Sequence, residues 1–581
     1  FRRFLNTGKI TMSFLIIVTA LIAILSYFLI RRDRRKAQIV LLEEKIRLRR
    51  KERESDLKWA EEEGKKISEE LKERIGKLDF EQLRVALQSG EFTCSEVVSA
   101  YYSFALKANE NINAIVLFIK ESREWAAEWD ERAKRGEKKP VLFGMPVSIK
   151  ECTDMKGYDQ TRGYAASIHQ PAEHDSPIVA QLKELGAIPF VQTNVPTSLL
   201  SYNCGNSIYG WTENPHKKGR TPGGSSGGES ALIAAGGSVL GIGGDVGGSL
   251  RTPAHYTGIA AIKPSHLRFS EMHSKGSVPG RPLINSSDGP MARSIDTCAE
   301  ICKAMWSSDF QSSFDPYVPP VPWRHELYED GRKFKIGYYK DDGWFTPTPG
   351  CARMVDEAKR ALKAKGHTLV PFSPPDVPEI YRLFVCAVCV DGGAYLMNLM
   401  DNDIVPDMFL EAVFPMRFPI FLQRAAAHVA GWLGYPRLKK LAQSMPMSTS
   451  ELRQNYAAIE AYRHTFLNEM KKVGVDMLLC PASVMPAPPH EGPLQLSCGV
   501  SYCSIFNLLD FGAGVCRAGN WTEEDEQKLR DYPETDMWYT MAKGYSKDSV
   551  GLPLGVQVAA PPYMEEAVLR VLSDIEHGLS K

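Results

Sequence analysis

The residues best suited to chemistry lie in two glycine-rich runs. These are Arg220-Thr-Pro-Gly-Gly-Ser-Ser-Gly-Gly-Glu-Ser230 and Val239-Leu-Gly-Ile-Gly-Gly-Asp-Val-Gly-Gly-Ser-Leu-Arg-Thr-Pro-Ala254. Glycine lacks a Cβ, tolerates positive φ and lets successive backbone N–H groups converge on one point, which is how an anion-binding hollow is built. A serine closing such a turn is a candidate nucleophile. The runs flank the alanine-rich apolar segment Ala231–Ala235, which favours a loop wrapped around a buried helix over a flexible linker.

Three other motifs fail on context. Gly223-Gly-Ser225-Ser-Gly227 fits G-x-S-x-G, but a nucleophile elbow follows a buried strand, and His216–Pro222 is polar. Gly241-Ile-Gly243-Gly-Asp-Val246 misses the last glycine of a dinucleotide loop, and no phosphate-cradling G-x-x-x-x-G-K-[ST] occurs. His169 and His174 have the wrong spacing for a helical zinc pair and a proline between them. No metal and no cofactor are expected.

A third segment, Pro146-Val-Ser-Ile-Lys150-Glu-Cys152, joins the two runs, Lys263-Pro264 and Val550-Gly-Leu-Pro-Leu-Gly-Val-Gln557 in one order. Over roughly residues 80–581 this set resembles the amidase signature family. The resemblance implies an α/β protein with the amidase-signature α/β/α fold around a large, mixed, twisted sheet. It also implies a Ser-Ser-Lys triad in which Ser249 attacks, Ser225 bridges, and Lys150 acts first as base and then as acid. The backbone N–H groups of Val246, Gly247, Gly248 and Ser249 would hold the oxyanion. Ser226 would support the site by hydrogen bonding, and Asp245 and Arg251 would form a structural ion pair.

The chemistry makes these demands independently. An amide is a poor electrophile with a poor leaving group, so it needs an activated nucleophile, an oxyanion hole and a proton for the departing amine. A lysine of ordinary pKa, about 10.4, is only about 0.04% neutral at pH 7, so a basic Lys150 requires burial. A drop of about three pKa units costs about 4 kcal/mol.

Within the family, the apolar N-terminal run, Lys150-Glu-Cys152, Thr193-Asn-Val-Pro196 and Tyr502–Asp510 most resemble the membrane-bound branch that cleaves lipid amides. The substrates this implies are long-chain fatty-acid amides, both N-acylethanolamines and primary amides, with a homodimer as the assembly. Departures are Ala261 in place of a common glycine and Gly244 in place of a serine or threonine. Leu199, Leu200, Cys389 and Trp538 are the expected channel residues, with Leu200 and Cys389 standing where mammalian relatives have phenylalanines. Two other functions stay open: an amidotransferase-type subunit releasing ammonia from glutamine, and a catalytically impaired lipid-binding scaffold.

These residues need rigid elements beneath them. Short apolar stretches such as Ile115–Ile119, Val141–Ile149, Ala187–Gln192, Lys335–Tyr339 and Met477–Leu479 alternate with helical periodicity, which predicts α/β layering. No linker divides residues 80–581. Lys+Arg and Asp+Glu are equal at 70 each, which offers nucleic acid no basic surface. The 12 cysteines follow no framework and read as reduced thiols, and Cys386 and Cys389 as core residues.

Ile10–Ile30 is free of charge, and a helix of that length spans about 31 Å, one bilayer core. It predicts a transmembrane helix at 10–30. The cluster Arg31-Arg32-Asp-Arg34-Arg35-Lys36 then orients the body to the cytosol, on an endomembrane such as the endoplasmic reticulum, with the sequons at Asn285 and Asn520 unmodified. Residues 31–79 read as a charged juxtamembrane helical region whose Ile39, Leu42 and Ile46 suit either a lipid surface or a solvated spacer. Residues 404–440 read as a membrane-binding cap of two short helices started by Pro406 and Pro419, with a buried helical hairpin as the alternative, and the resemblance implies that Arg437, Lys439 and Lys440 meet lipid phosphates.

Overall fold

The computed structural model describes residues 35–579 other than 282 and 330. The expected span at 10–30 lies outside them. Among the described residues, no helix is long and apolar enough to cross a membrane.

The chain forms thirteen strands: β1 (Ile115–Phe118), β2 (Pro146–Lys150), β3 (Ile188–Thr193), β4 (Gly205–Asn206), β5 (Gly210–Trp211), β6 (Leu240–Asp245), β7 (Ala260–Lys263), β8 (Ser287–Ala292), β9 (Lys335–Tyr338), β10 (Thr368–Pro371), β11 (Met477–Pro481), β12 (Gly512–Asn520) and β13 (Pro553–Ala560). β4 and β5 pair as a small ribbon. The other eleven form one mixed sheet in the order β1-β3-β2-β6-β8-β7-β12-β13-β11-β9-β10. β2 runs parallel to both β3 and β6, whereas β12 and β13 are antiparallel along their length. The central strands are apolar and buried on both faces, as a sheet covered by helices requires.

Side-chain alternation on β12 displays the layers. A Cβ on Gly514 would meet Leu572 and Val568 of helix Glu565–Leu579. The next residue, Val515, contacts Gly555, whose own Cβ would approach His255 of helix Arg251–Thr257. Successive residues face opposite sides of a strand, so these two helices cover opposite faces.

β6 is the strand that a loop reading of the glycine-rich run does not anticipate. A Cβ at Gly243 would stand 2.7 to 2.9 Å from Leu250, Ser226 Oγ and Met291. Glycine is what lets this strand run between the two serine motifs. Helix Gly227–Ala234, almost entirely buried, fills the space between them.

The juxtamembrane region is helical over residues 35–64 and Glu69–Gly76. Its apolar stripe corrects both sequence expectations, because Leu42 and Ile46 are buried against Val116, Leu117, Ile168 and Ile208 of the body. The basic residues anchor the same contact. Arg49 pairs with Asp159 at 2.6 Å, Arg50 donates to the carbonyls of Ser207 and Ile208, and Arg53 donates to Ile115 O at 2.8 Å. This helix lies on protein.

Candidate active site

Lys150 ends β2, buried, and its Nζ donates to Ser225 Oγ at 2.8 Å and to the Gly244 carbonyl at 3.0 Å. Ser225 precedes helix Gly227–Ala234, and the Gly224–Ser225 peptide is cis. Ser249 follows β6 on the turn into helix Arg251–Thr257. Lys150, Ser225, Val246 and Ser249 border one cavity of about 80 Å³. Two parallel neighbouring strands thus deliver the lysine and the Ser249 turn to one edge of the sheet, and the loop before helix Gly227–Ala234 brings Ser225 to them. Ser226 is fully buried, bonding the Gly244 backbone through its hydroxyl and the Ser249 carbonyl through its N–H at 3.2 Å.

The turn from Asp245 to Ser249 is held by charge. Asp245 and Arg251 are both fully buried and paired at 3.0 Å. Asp245 also accepts the N–H of Gly248 at 2.7 Å and of Leu250 at 3.1 Å. Burial alone would raise its carboxyl, but the Arg251 guanidinium holds it well below the usual carboxylate range. Arg251 reaches on to Asn507 Oδ1 at 2.6 Å and Gln557 Oε1 at 2.7 Å, which brings the Tyr502–Asp510 and Val550–Gln557 segments to the turn. Gly248 has φ +124, and a Cβ there would meet the Tyr202 hydroxyl and Cys503.

This geometry amends the expected oxyanion hole. The Gly248 N–H is committed to Asp245, whereas no acceptor among the described residues takes the N–H of Val246, Gly247 or Ser249. Phe384 packs over Gly247, and the Tyr202 hydroxyl donates to its carbonyl. Neither residue carried a signal in the sequence. Glu229, within the first glycine-rich run, has a buried carboxyl that receives the hydroxyls of Ser148 and Thr193, and burial pushes it up to about 8.

The sequence profile of the family described as Amidase matches residues 96–569. The chain belongs to the amidase family. Fatty acid amide hydrolase 1 of Caenorhabditis elegans is 49% identical to this amidase over 547 residues, covering 94% of this chain and 96% of the relative. Fatty-acid amide hydrolase 1 of Sus scrofa is 37% identical over 503 residues, covering 86% and 85%. A solved structure of fatty acid amide hydrolase superposes with TM-score 0.78 at 24% identity over 92% of this chain and 95% of that one. Peptide amidase from Stenotrophomonas maltophilia shares the fold at TM-score 0.62 and 18% identity, over 87% and 97%.

Of the expected channel residues of the amidase, Leu199 borders the cavity shared by Lys150, Ser225 and Ser249. Leu200 packs with the apolar cluster containing Phe409 and Val413. Cys389 is buried at the end of helix Val377–Val388, and Trp538 sits in the main core with its indole N–H on Gln495 O at 3.2 Å. All 12 cysteines are free thiols. Among the described residues, no group of His, Cys, Asp or Glu is arranged to hold a metal.

Residues 404–440 form helix Asp407–Val413, a 3-10 turn Phe414–Arg417, helix Ile420–Trp432 and helix Pro436–Gln443. Phe414, Phe418, Phe421, Leu422, Trp432 and Leu433 are exposed on them, Trp432 by 88%. Two of the three basic residues, Arg437 and Lys440, do not follow the lipid-facing expectation. Arg437 is buried, pairing with Asp536 and donating to the Trp344 carbonyl, and Lys440 pairs with Glu379 at 3.1 Å.

Proposed function

We propose that this amidase is a membrane-bound serine hydrolase that cleaves long-chain fatty-acid amides, N-acylethanolamines and primary amides among them, to fatty acid and amine. The observation that carries this reading is the buried Lys150–Ser225 hydrogen bond opening onto the same cavity as Ser249. The extensive identity to relatives named as fatty acid amide hydrolases supports the substrate class.

In this reading Ser249 Oγ bonds to the amide carbon while its proton passes to Ser225 Oγ and the Ser225 proton passes to neutral Lys150 Nζ. The free N–H groups of Val246, Gly247 and Ser249 receive the oxyanion. One such donor is commonly worth about 10²–10³ in rate. The C–N bond then breaks as Lys150 returns the proton through Ser225 to the leaving nitrogen. Water repeats the sequence on the acyl-Ser249 ester and releases the acid. Asp245 and Arg251 fix the turn and transfer no proton.

The uncharged run at 10–30 and the exposed apolar face of the cap together favour membrane attachment and lateral entry of a lipid substrate. Endoplasmic reticulum placement, a cytosol-facing body and a homodimer complete the reading. Chains assayed in membranes should release ethanolamine and fatty acid from an N-acylethanolamine, with turnover lost in Ser249→Ala. Glutamine hydrolysis without lipid-amide hydrolysis would overturn the substrate class. Tight lipid binding without turnover would overturn the enzyme reading.

A further inference from the structure

On the side of Gly244 away from Ser226 lies a carboxylate that the mechanism above does not use. β6 and β8 run antiparallel with Gly244 directly opposite Asp288, and a Cβ on Gly244 would stand 2.7 Å from Asp288 Oδ1. The missing side chain at 244 is what gives the carboxylate its room. Asp288 borders the cavity shared by Lys150, Ser225 and Ser249. No hydrogen-bond donor or ion pair among the described residues engages it. Lys150 is the charge that acts on it most, across the Gly244 backbone whose carbonyl Lys150 already holds.

We propose that Asp288 is a positioning residue that keeps Lys150 protonated in the resting enzyme and thereby sets the pH at which the triad becomes competent. The inference rests on Lys150 being the base. The other titratable groups around the cavity are Cys152 from the segment after β2, and Glu271, Lys275 and Arg281 from the loop that closes it. Burial pushes the Cys152 thiol up to about 11 and the Glu271 carboxyl up to about 8, the latter helped by the charge of Asp288. Both are therefore neutral at pH 7. Arg281 faces Glu271, and Lys275 is exposed. Burial places Asp288 itself at about 6, so above that pH it is the ionised carboxylate of the cavity. An ionised carboxylate that shares a small cavity with an ammonium stabilises the charged form and delays loss of its proton. Above about pH 6 the charge of Asp288 therefore opposes loss of the Lys150 proton and moves base catalysis to higher pH.

The test is the pH dependence of kcat/KM for lipid-amide hydrolysis by the full chain in membranes, with Asp288→Asn, Gly244→Thr and Gly244→Thr/Asp288→Ser as variants. In Asp288→Asn the rising limb should move to lower pH by about one unit, so that kcat/KM measured on the limb increases about tenfold. Gly244→Thr should lose most activity by collision with Asp288, and Gly244→Thr/Asp288→Ser should regain it. A limb unmoved in Asp288→Asn, or a double variant no better than Gly244→Thr, would overturn the proposal. A limb unmoved while KM changes for ammonium-bearing amides would also overturn it and make Asp288 a leaving-group contact. A rising limb that persists unchanged in Lys150→Ala would instead sink the triad reading on which this rests.

Discussion

The hydrogen bonds that Lys150 makes and the pairing of the nearby Asp245 set what this lysine can do. Ser225 and the Gly244 carbonyl take its hydrogen bonds, and Asp245, the strongest nearby carboxylate, is taken by Arg251. Lys150→Ala should lower kcat/KM by about 10²–10⁴, the usual range for a positioned base, as measured by steady-state hydrolysis. Asp245→Asn leaves Arg251 buried without a counter-charge and should destabilise the fold by about 3–5 kcal/mol in chemical denaturation. Because Asp245 is held below its unfolded value, its contribution is intact above pH 4 and is lost only as pH falls further. Lys150, Ser225 and Ser249 were legible because a long ordered motif surrounds them. Tyr202, Phe384 and Asp288 were not, since each meets the turn through tertiary contact from a segment whose local pattern is that of ordinary core or strand.

Among elements, helix Arg251–Thr257 connects the Ser249 turn to the far strands. Its His255 is fully buried, accepting from Gly555 N–H at 2.8 Å and facing the Met485 carbonyl at 3.1 Å. Burial pulls the imidazole down to about 4. The unfolded chain takes up a proton near pH 6.5 that the folded chain refuses until about 4, so stability falls as pH drops through that window, by about 3 kcal/mol for this group. Denaturation at pH 7 and 4.5 should show that loss, and His255→Gln should show less of it. The apolar β1, β3, β9 and β11 were readable from composition to within a residue or two at each end. β6 and β8 escaped because Gly241, Gly243, Gly244, Gly289 and Pro290 carry no strand signature, and their small size answers to close packing against Leu250, Met291 and the Ile262 carbonyl. The start of β2 was read too early, since residues 141–144 turn before the strand begins at Pro146.

At the scale of the whole molecule, the proposed membrane attachment rests on two apolar segments, the span expected at 10–30 and the exposed face of residues 404–440. A chain beginning at residue 35 should still sediment with vesicles, and Phe421→Glu/Trp432→Glu should weaken that binding at least tenfold, since two buried large side chains contribute about 3–6 kcal/mol. The helix at 35–64 illustrates what amphipathicity alone leaves open: its stripe specifies an apolar partner, and packing on Val116 and Ile208 makes that partner the body itself. The measurement that bears most directly on the whole account is the reaction of the membrane-bound protein with a long-chain acyl fluorophosphonate, with the adduct located by peptide mass spectrometry. One adduct on Ser249, absent in Lys150→Ala, is the predicted result. A label on Ser225, or no labelled serine while active control hydrolases react, would contradict it.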